Sequence, residues 1–360
     1  MSRLNTIILW INYLVIIALL IAHYSKFISP EVFWLPSFFG LAFPYLLILA
    51  ACFMIYWLIQ FKRVAIFGAL AIILCIGTIF KYVQFSKEET DFPKNNIKIT
   101  SYNSMLFDLY NWRKNDSTRN EILSYLNEIR SNILCLQEFY TSEEEGDYDN
   151  TKTLSENLNF QYHHVEYTST LREKDHWGIG TFSKFPIINK GKILFKTKSN
   201  NLCIYSDIVT PIDTFRVYNV HLQSISFSKK DVAFLKQIKE GTEVDEIENS
   251  KNVLRRIKRA TVKRAAQVDI IRLHMKNCPY KIILCGDFND PPASYTYNEL
   301  TGNLNDAYLE KGFGLGQTYN GEWPQFRIDY ILYDKSLRCA SYKPFKESLT
   351  DHYPITAVLY

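Results

Sequence analysis

Six short stretches of this 360-residue chain end an apolar run in a group that can hold a hard metal or move a proton. They are SYN at Asn103, LQE at Glu138, NVHL at His221, GDFN at Asp287 and Asn289, RIDYIL at Asp329, and TDHYPI at Asp351 and His352. Taken singly, each has an ordinary reading: a turn asparagine, an exposed strand-end carboxylate, a core histidine, a turn cap. Together they repeat one device, a strand that delivers a polar group at its edge. Carboxylate and amide oxygens are hard ligands suited to Mg²⁺ or Mn²⁺. Such a metal draws charge from phosphate oxygens and steadies a leaving oxygen. A carboxylate beside an imidazole orients it and raises its pKa, giving a base or a cationic phosphate clamp. The chemistry these types suit is hydrolysis of a phosphate ester.

The elements that must position these groups are legible in the same segments. KIILCGDFNDPP (281–292) is an apolar strand that stops where Pro291 and Pro292 cannot continue a ladder. IKITSYN (97–103), NILCLQE (132–138), GIGTFSKFPI (178–187), ILFKT (193–197), LCIYSDIV (202–209) and FRVYNVHL (215–222) read as strands, and RIDYILY and HYPITAVLY complete the series. TRNEILSYLNEIR (118–130) reads as a helix with a Thr118–Glu121 capping box and Ile122, Leu126 and Ile129 on one face. KRAAQVDIIRLHMK (263–276) reads as another. Many strands and few helices in mixed order predict an α/β or α+β sandwich with helices covering the sheets. LREKDHWG (171–178) is a candidate rim loop in which His176 and Trp177 could touch substrate. Arg327, on the strand face of Asp329, is either a phosphate contact or an ordinary arginine.

The first 83 residues differ in character. TIILWINYLVIIALLIA (6–22), FFGLAFPYLLILAACFMIYWL (38–58) and VAIFGALAIILCIGTIF (64–80) lack charge and approach the roughly 20 residues that cross a hydrocarbon core. They predict three membrane spans. Arg3, Lys62 and Arg63 place the N-terminus and the tight second connection in the cytoplasm. An odd number of crossings then puts everything after Val83 on the periplasmic or extracellular side. Residues 84–96 read as a polar linker and 97–360 as one further domain.

Charge is split in the same way. The chain carries +4, of which +3 falls before residue 90. The nearly neutral remainder does not advertise bulk electrostatic attraction to nucleic acid. Within it, an acidic stretch (Glu240, Glu243, Asp245, Glu246, Glu248) precedes a basic one (Lys251, Arg255, Arg256, Lys258, Arg259, Lys263, Arg264). This is either a solvated helix with locally paired charges or an arm for anionic lipid or nucleic-acid phosphate. The seven cysteines show no zinc spacing and read as buried free thiols.

The set SYN, LQE, NVHL, GDFN, RIDYIL and DHYPI, in this order and spacing, resembles the endonuclease/exonuclease/phosphatase family of deoxyribonuclease-like metal-dependent phosphoesterases. The resemblance runs from about Ile97 to Tyr360 and implies a four-layer αββα sandwich with the site at one rim. It implies that Glu138 is the principal metal ligand with Asn103 beside it, and that Asp351 is a further metal-side acid. Asp287 resembles the group that orients or deprotonates the attacking water, and Asn289 a ligand of phosphate or metal. Asp329 resembles the partner of His352, and His221 the histidine set against the scissile phosphate. Met105 departs from the acid that some repair endonucleases carry two residues after the asparagine, which argues against that branch and against a filled second metal site. The expectation is a membrane-anchored, Mg²⁺- or Mn²⁺-dependent, nuclease-like phosphodiester hydrolase acting on nucleic acid or phospholipid. A sphingomyelinase-like phospholipid phosphodiesterase, an inositol or sugar phosphatase, and a non-catalytic membrane binding module on the same fold are the alternatives.

Overall fold

The computed structural model describes residues 3–89, 91, 93–144, 148–195, 200–240, 246–321 and 325–360; the side chains at 229, 232, 235, 238–240 and 246–248 fall outside that description. Residues 196–197 of the expected strand ILFKT lie outside it, as do Glu243, Asp245 and the side chains of Glu240, Glu246 and Glu248 from the acidic stretch. The chain divides into two units, one of residues 1–82, 224–266 and 290–299, the other of residues 83–223, 267–289 and 300–360.

In chain order the elements are α1 (Arg3–Tyr24), α2 (Leu35–Leu41), α3 (Phe43–Ile59), α4 (Ala65–Leu74), α5 (Ile76–Ile79), β1 (Gln84–Phe85), β2 (Ile97–Asn103), α6 (Thr118–Ile129), β3 (Ile133–Ser142), α7 (Asn150–Glu156), β4 (Tyr162–Leu171), β5 (Asp175–Ser183), β6 (Ile187–Ile193), β7 (Leu202–Val209) and β8 (Thr214–His221). They continue as α8 (Lys229–Glu240), α9 (Glu246–Lys276), β9 (Lys281–Asp287), α10 (Tyr295–Thr301), β10 (Leu304–Asp306), α11 (Ala307–Lys311), β11 (Phe313–Gly314), β12 (Asp329–Asp334), β13 (Cys339–Pro344) and β14 (Ile355–Leu359).

The larger unit holds two mixed six-stranded sheets, ordered β10-β12-β9-β8-β7-β6 and β13-β14-β2-β3-β5-β4. Each has one parallel pair at its centre, β8 with β9 and β2 with β3, and antiparallel partners outside. Alternation along β3 builds the layers. Ile133 and Cys135 enter the inter-sheet core with Val217, Ile283 and Ile331, whereas Leu134 and Leu136 turn outward against Ile122, Leu126 and Ile129 of α6. On the opposite face, His274 of α9 accepts or donates a 3.0 Å hydrogen bond with the Tyr218 hydroxyl and packs on the Tyr205 ring. With both faces covered, the central strands read as near-continuous apolar runs.

Two local expectations are corrected. The α6 cap lies earlier than Thr118: Asn115 and the Ser117 hydroxyl donate to the Glu121 carboxylate, while the Thr118 hydroxyl donates to the Asn115 carbonyl. The first part of the expected linker is a strap. β1 pairs with β11, the Ser86 and Glu89 N–H groups donate to the Gly312 and Ala340 carbonyls, and the Glu89 carboxylate takes Lys311 at 2.8 Å and the Tyr360 hydroxyl at 3.1 Å.

Among the described residues, the smaller unit does not contain three continuous spans. One stretch, residues 3–27, is long and apolar enough to cross a membrane, and a second qualifies only if α2 and α3, bent by 69°, count as one. Pro44 causes the bend: it sits in the first turn of α3, where its ring and missing N–H prevent continuation from the preceding helix. The third apolar segment is split at Cys75, leaving the ten-residue α4 and the single turn of α5. The helices bury Val15, Ile16, Leu19, Phe43, Ala50 and Ala71 together. The charged segment belongs to this unit. Val253 and Ile257 of α9 and Phe234 of α8 pack with Phe38 and Leu41. Three of its cations have protein partners: Arg256 pairs with Asp231 at 2.8 Å, Lys258 lies over the Trp34 ring, and buried Arg264 pairs with Asp290 at 2.8 Å. Those three are not a free phosphate-tracking arm.

Candidate active site

Four of the functional side chains leave the C-terminal ends of the two central parallel pairs. Asn103 ends β2, His221 ends β8 and Asp287 ends β9; Glu138 interrupts β3. In the sheet that holds β8, β9 and β12, His221, Asp287 and Asp329 form one row, since His221 registers with Asp287 and Asp287 with Asp329. Glu138 is aimed by a bulge. Leu136 pairs with Gly180 and Phe139 with Gly178, so β3 carries one extra residue there, and Glu138 adopts φ 46°. Asn289 takes φ 54°, a conformation asparagine tolerates.

Asp287 is the centre of the cluster. Its Oδ2 accepts from Asn103 Nδ2 and Asn289 Nδ2, each at 3.1 Å, and its Oδ1 accepts the Asn289 N–H at 2.8 Å. The same Oδ2 lies 3.8 Å from Nε2 of both His221 and His352. His352 Nδ1 is 2.9 Å from Asp329 Oδ2. Glu138 Oε1 stands 3.7 Å from His221 Nε2, with its side chain about one-third exposed at 36%. Asp351 is half-buried beside this group, and its carbonyl accepts the Asn320 N–H at 2.6 Å. The structure therefore brings together eight of the residues singled out by sequence.

Burial sets the electrostatics. It pushes the Asp287 carboxyl up to about 6, against the pull of His352. Burial lowers His221, so that imidazole is neutral near pH 7. His352 is driven well above its ordinary value: burial opposes this, but the Asp329 and Asp287 carboxylates outweigh it and hold an imidazolium. Burial, followed by Asp351, raises the Glu138 carboxyl.

Asp287, Asp329 and His352 present ligand atoms within 4.8 Å of one another, so this buried group could hold a metal ion. An imidazolium is a poor ligand, however, and His352 already engages Asp329. The harder oxygen set lies on the Glu138 side of Asp287. The fit of a small cation or phosphoryl oxygen in this cluster rests on orphaned atoms: His221 Nε2 and Asp329 Oδ1 are buried and, among the described residues, lack hydrogen-bond partners. His221 Nε2 faces two carboxylates across gaps too long for a direct hydrogen bond.

Three expected substrate contacts are engaged elsewhere. His176 is buried in the β4–β5 ribbon, stacked on Tyr167, 3.1 Å from the Thr170 hydroxyl and 3.3 Å from Glu143. Trp177 packs on Tyr140. The Arg327 guanidinium is buried, donates to Asp306 at 2.7 Å and is sandwiched between the Tyr308 and Tyr330 rings. Removing water from that cation is offset only by such partners, which makes it a structural arginine.

Sequence reasoning missed the support beneath the site. Gln137 Nε2 donates to Asn219 Oδ1 at 2.6 Å between the sheets, and Asn219 Nδ2 donates to the Gly180 carbonyl at 2.8 Å. These residues precede Glu138 by one and His221 by two. Their signal was available: a lone amide inside an otherwise apolar strand, in LCLQE and VYNVH.

Residues 101–352 match the endonuclease/exonuclease/phosphatase family, which covers more than half of the sequence. The chain belongs to that family. Residues 5–82 match a separate domain of unknown function, DUF8431. No curated protein matches the chain. Among solved structures, the human Nocturnin catalytic domain with bound sulfate is 18% identical, with TM-score 0.51 over 76% of this chain and 96% of that one. A mannosyl-6-phosphatase of Bacteroides thetaiotaomicron VPI-5482 is 17% identical, with TM-score 0.52 over 73% and 99%. TDP2 of D. rerio complexed with single-strand DNA product is 13% identical, with TM-score 0.50 over 74% and 99%. At these identities the likeness is one of fold.

The glycine before Asp287 has a steric reason. Gly286 takes φ +145°, and a Cβ would sit 2.0 Å from the Val220 carbonyl oxygen. Gly286→Ala is expected to force β8 from β9, displace Asp287 relative to His221, and lower the urea midpoint along with any turnover. Titration of Asp287 gives a second expectation. Its folded-state pKa lies above the unfolded value, so the folded protein binds the extra proton, and stability falls as pH rises from about 4 through about 6. In EDTA, the unfolding free energy of wild type relative to Asp287→Asn should drop by about 2–3 kcal/mol between pH 4 and pH 7, measured by urea denaturation at each pH.

Proposed function

We propose that this chain is a membrane-anchored, divalent-metal-dependent phosphodiester hydrolase. One observation carries the catalytic reading: the Asp287 carboxylate faces two histidines and two asparagine amides, while the unsatisfied His221 nitrogen opens toward Glu138. Glu138, with Asn103 and Asp351 beside it, would hold the cation, Mg²⁺ or Mn²⁺. When bound, it would neutralise charge on the non-bridging phosphate oxygens and the leaving oxygen.

The chain's own groups divide the remaining work. Asp287, raised toward neutral pH and fixed by Asn103 and Asn289, orients the attacking water and accepts its proton. His352, kept cationic by Asp329, clamps a phosphoryl oxygen. Neutral His221 donates or accepts one hydrogen bond from the opposite side. Asn289 contributes an amide at the same oxygen.

Substrate choice favours a nuclease-like diester. The TDP2 relative of the same fold holds single-strand DNA product. A sugar phosphatase is the second reading, favoured by the fold likeness to a mannosyl-6-phosphatase. Sphingomyelinase-like cleavage of phospholipid draws its support from the membrane anchor. That anchor is supported by apolar side chains in water-exposed positions: Leu4, Trp10 and Leu14 of α1, Ile48 of α3, and Ile66 and Ile73 of α4 are each more than half exposed. Hydrocarbon is a solvent that would accept them.

Full-length protein in detergent with Mg²⁺ or Mn²⁺ should hydrolyse bis(p-nitrophenyl) phosphate, and EDTA should stop it. Glu138→Ala and Asp287→Ala should each lower the rate by at least about 10²-fold; equal rates in wild type and both variants would reject the enzyme reading. For topology, a reporter that functions only in the cytoplasm, fused after Tyr360, should stay silent if α1 alone crosses the membrane and give a signal if the bent α2–α3 pair crosses as well.

A further inference from the structure

The loop that follows Asn103 is built to hold two aromatic rings in water. Met105, Leu106, Phe107 and Asp108 all lie in the left-handed region, with φ from 47° to 57°. L-residues adopt that conformation only where surrounding structure enforces it. Here Phe107 is buried edge-to-face on Phe139, and its N–H donates to the Ser104 carbonyl at 2.8 Å. Buried Asp108 accepts the Arg113 N–H on both carboxylate oxygens at 3.3 Å. The Asn111 N–H returns to the Asp108 carbonyl at 2.8 Å. The outcome is a pinned arch whose crown carries Tyr110 and Trp112, 56% and 53% exposed, with ring centroids 5.0 Å apart.

The arch also closes on the segment that carries the site. The Arg113 guanidinium donates to the Ser348 carbonyl and hydroxyl, and Asn320 Nδ2 donates to that same hydroxyl at 2.7 Å. The Asn320 N–H donates to the Asp351 carbonyl, and the Thr350 hydroxyl to the Asn103 carbonyl at 3.3 Å. Folding gains nothing from leaving two large rings in water, so an internally fixed arch that does this points to a ligand. Its chemistry is constrained by the neighbours. Asn111, Arg113, Lys114 and Asp116 are all exposed around the rings, and inserting the crown into lipid would dehydrate them. A flat ring attached to a charged backbone suits the crown better, because rings stack on aromatics while phosphates stay near Arg113 and Lys114.

We propose that Tyr110 and Trp112 form a stacking platform for a nucleobase of the substrate strand, positioned beside the phosphate-cleaving cluster. This rests on the phosphodiesterase reading for its function but not for its test. Binding of a fluorescein-labelled oligothymidylate to the full chain is measured by anisotropy in EDTA, where no turnover occurs. It is compared with a strand of identical phosphates carrying abasic tetrahydrofuran residues. Trp112→Ala and Tyr110→Ala should weaken oligothymidylate binding about tenfold and leave the abasic strand unchanged, while Trp112→Phe retains most of the affinity. With metal restored, KM for oligothymidylate should rise in the same variants with kcat nearly constant, and bis(p-nitrophenyl) phosphate turnover reports the enzyme reading separately. Equal affinity of wild type for both strands, an equal loss on both strands in the alanine variants, or reduced phospholipid cleavage with unchanged oligothymidylate binding would each overturn the platform.

Discussion

The feature on which the site depends is a carboxylate buried in company. Asp287 is 1% exposed, and an unpaired anion there would be neutralised by the cost of leaving water. It stays ionisable near neutral pH because Asn103, Asn289 and the Asn289 N–H donate to it and the His352 imidazolium stands 3.8 Å away. That imidazolium is sustained first by Asp329, which holds its other nitrogen, and then by Asp287 itself. Removing any member leaves a buried charge without compensation, so the cluster must be assembled whole.

Assembly from such distant residues is the work of the two central parallel pairs. Parallel neighbours end at the same rim, which is where α/β sheets gather ligands. β2 and β3 bring Asn103 and Glu138 to that rim from one sheet, and β8 and β9 bring His221 and Asp287 from the other. The Gln137–Asn219 hydrogen bond crosses between the sheets one layer below, so an error in their relative register would leave two amides unsatisfied. The bulge at Glu138 and the open backbone at Gly286 then aim the final side chains.

The smaller unit obeys a different constraint. Its helices bury one another along α1, α3 and α4, yet keep long apolar side chains on their outer faces. The basic segment that sequence offered as a phosphate arm spends Arg256, Lys258 and Arg264 on Asp231, Trp34 and Asp290 within this unit.

Sequence alone determined the local matters. Apolar runs of period two and their punctuation by Asn, Gly and Pro located β2, β7, β8 and β9 almost to the residue, and the start of β3 but not its last four residues, since burial on both faces leaves few other readings of such runs. Residue type limited the chemistry to hard oxygen ligands and imidazole, and so named the eight residues of the cluster. It did not reveal that the third apolar segment breaks at Cys75, because hydropathy measures composition and not helix continuity. Nor could it tell the buried Arg327 and His176 from substrate contacts, because their partners, Asp306 and Glu143, lie 21 and 33 residues away and pairing is a property of the folded chain. The arch of Tyr110 and Trp112 was likewise invisible. Its four left-handed residues follow no local preference, and beside hydrogen bonds within the loop they are held by Phe139 and the Ser348 segment, which tertiary packing alone supplies.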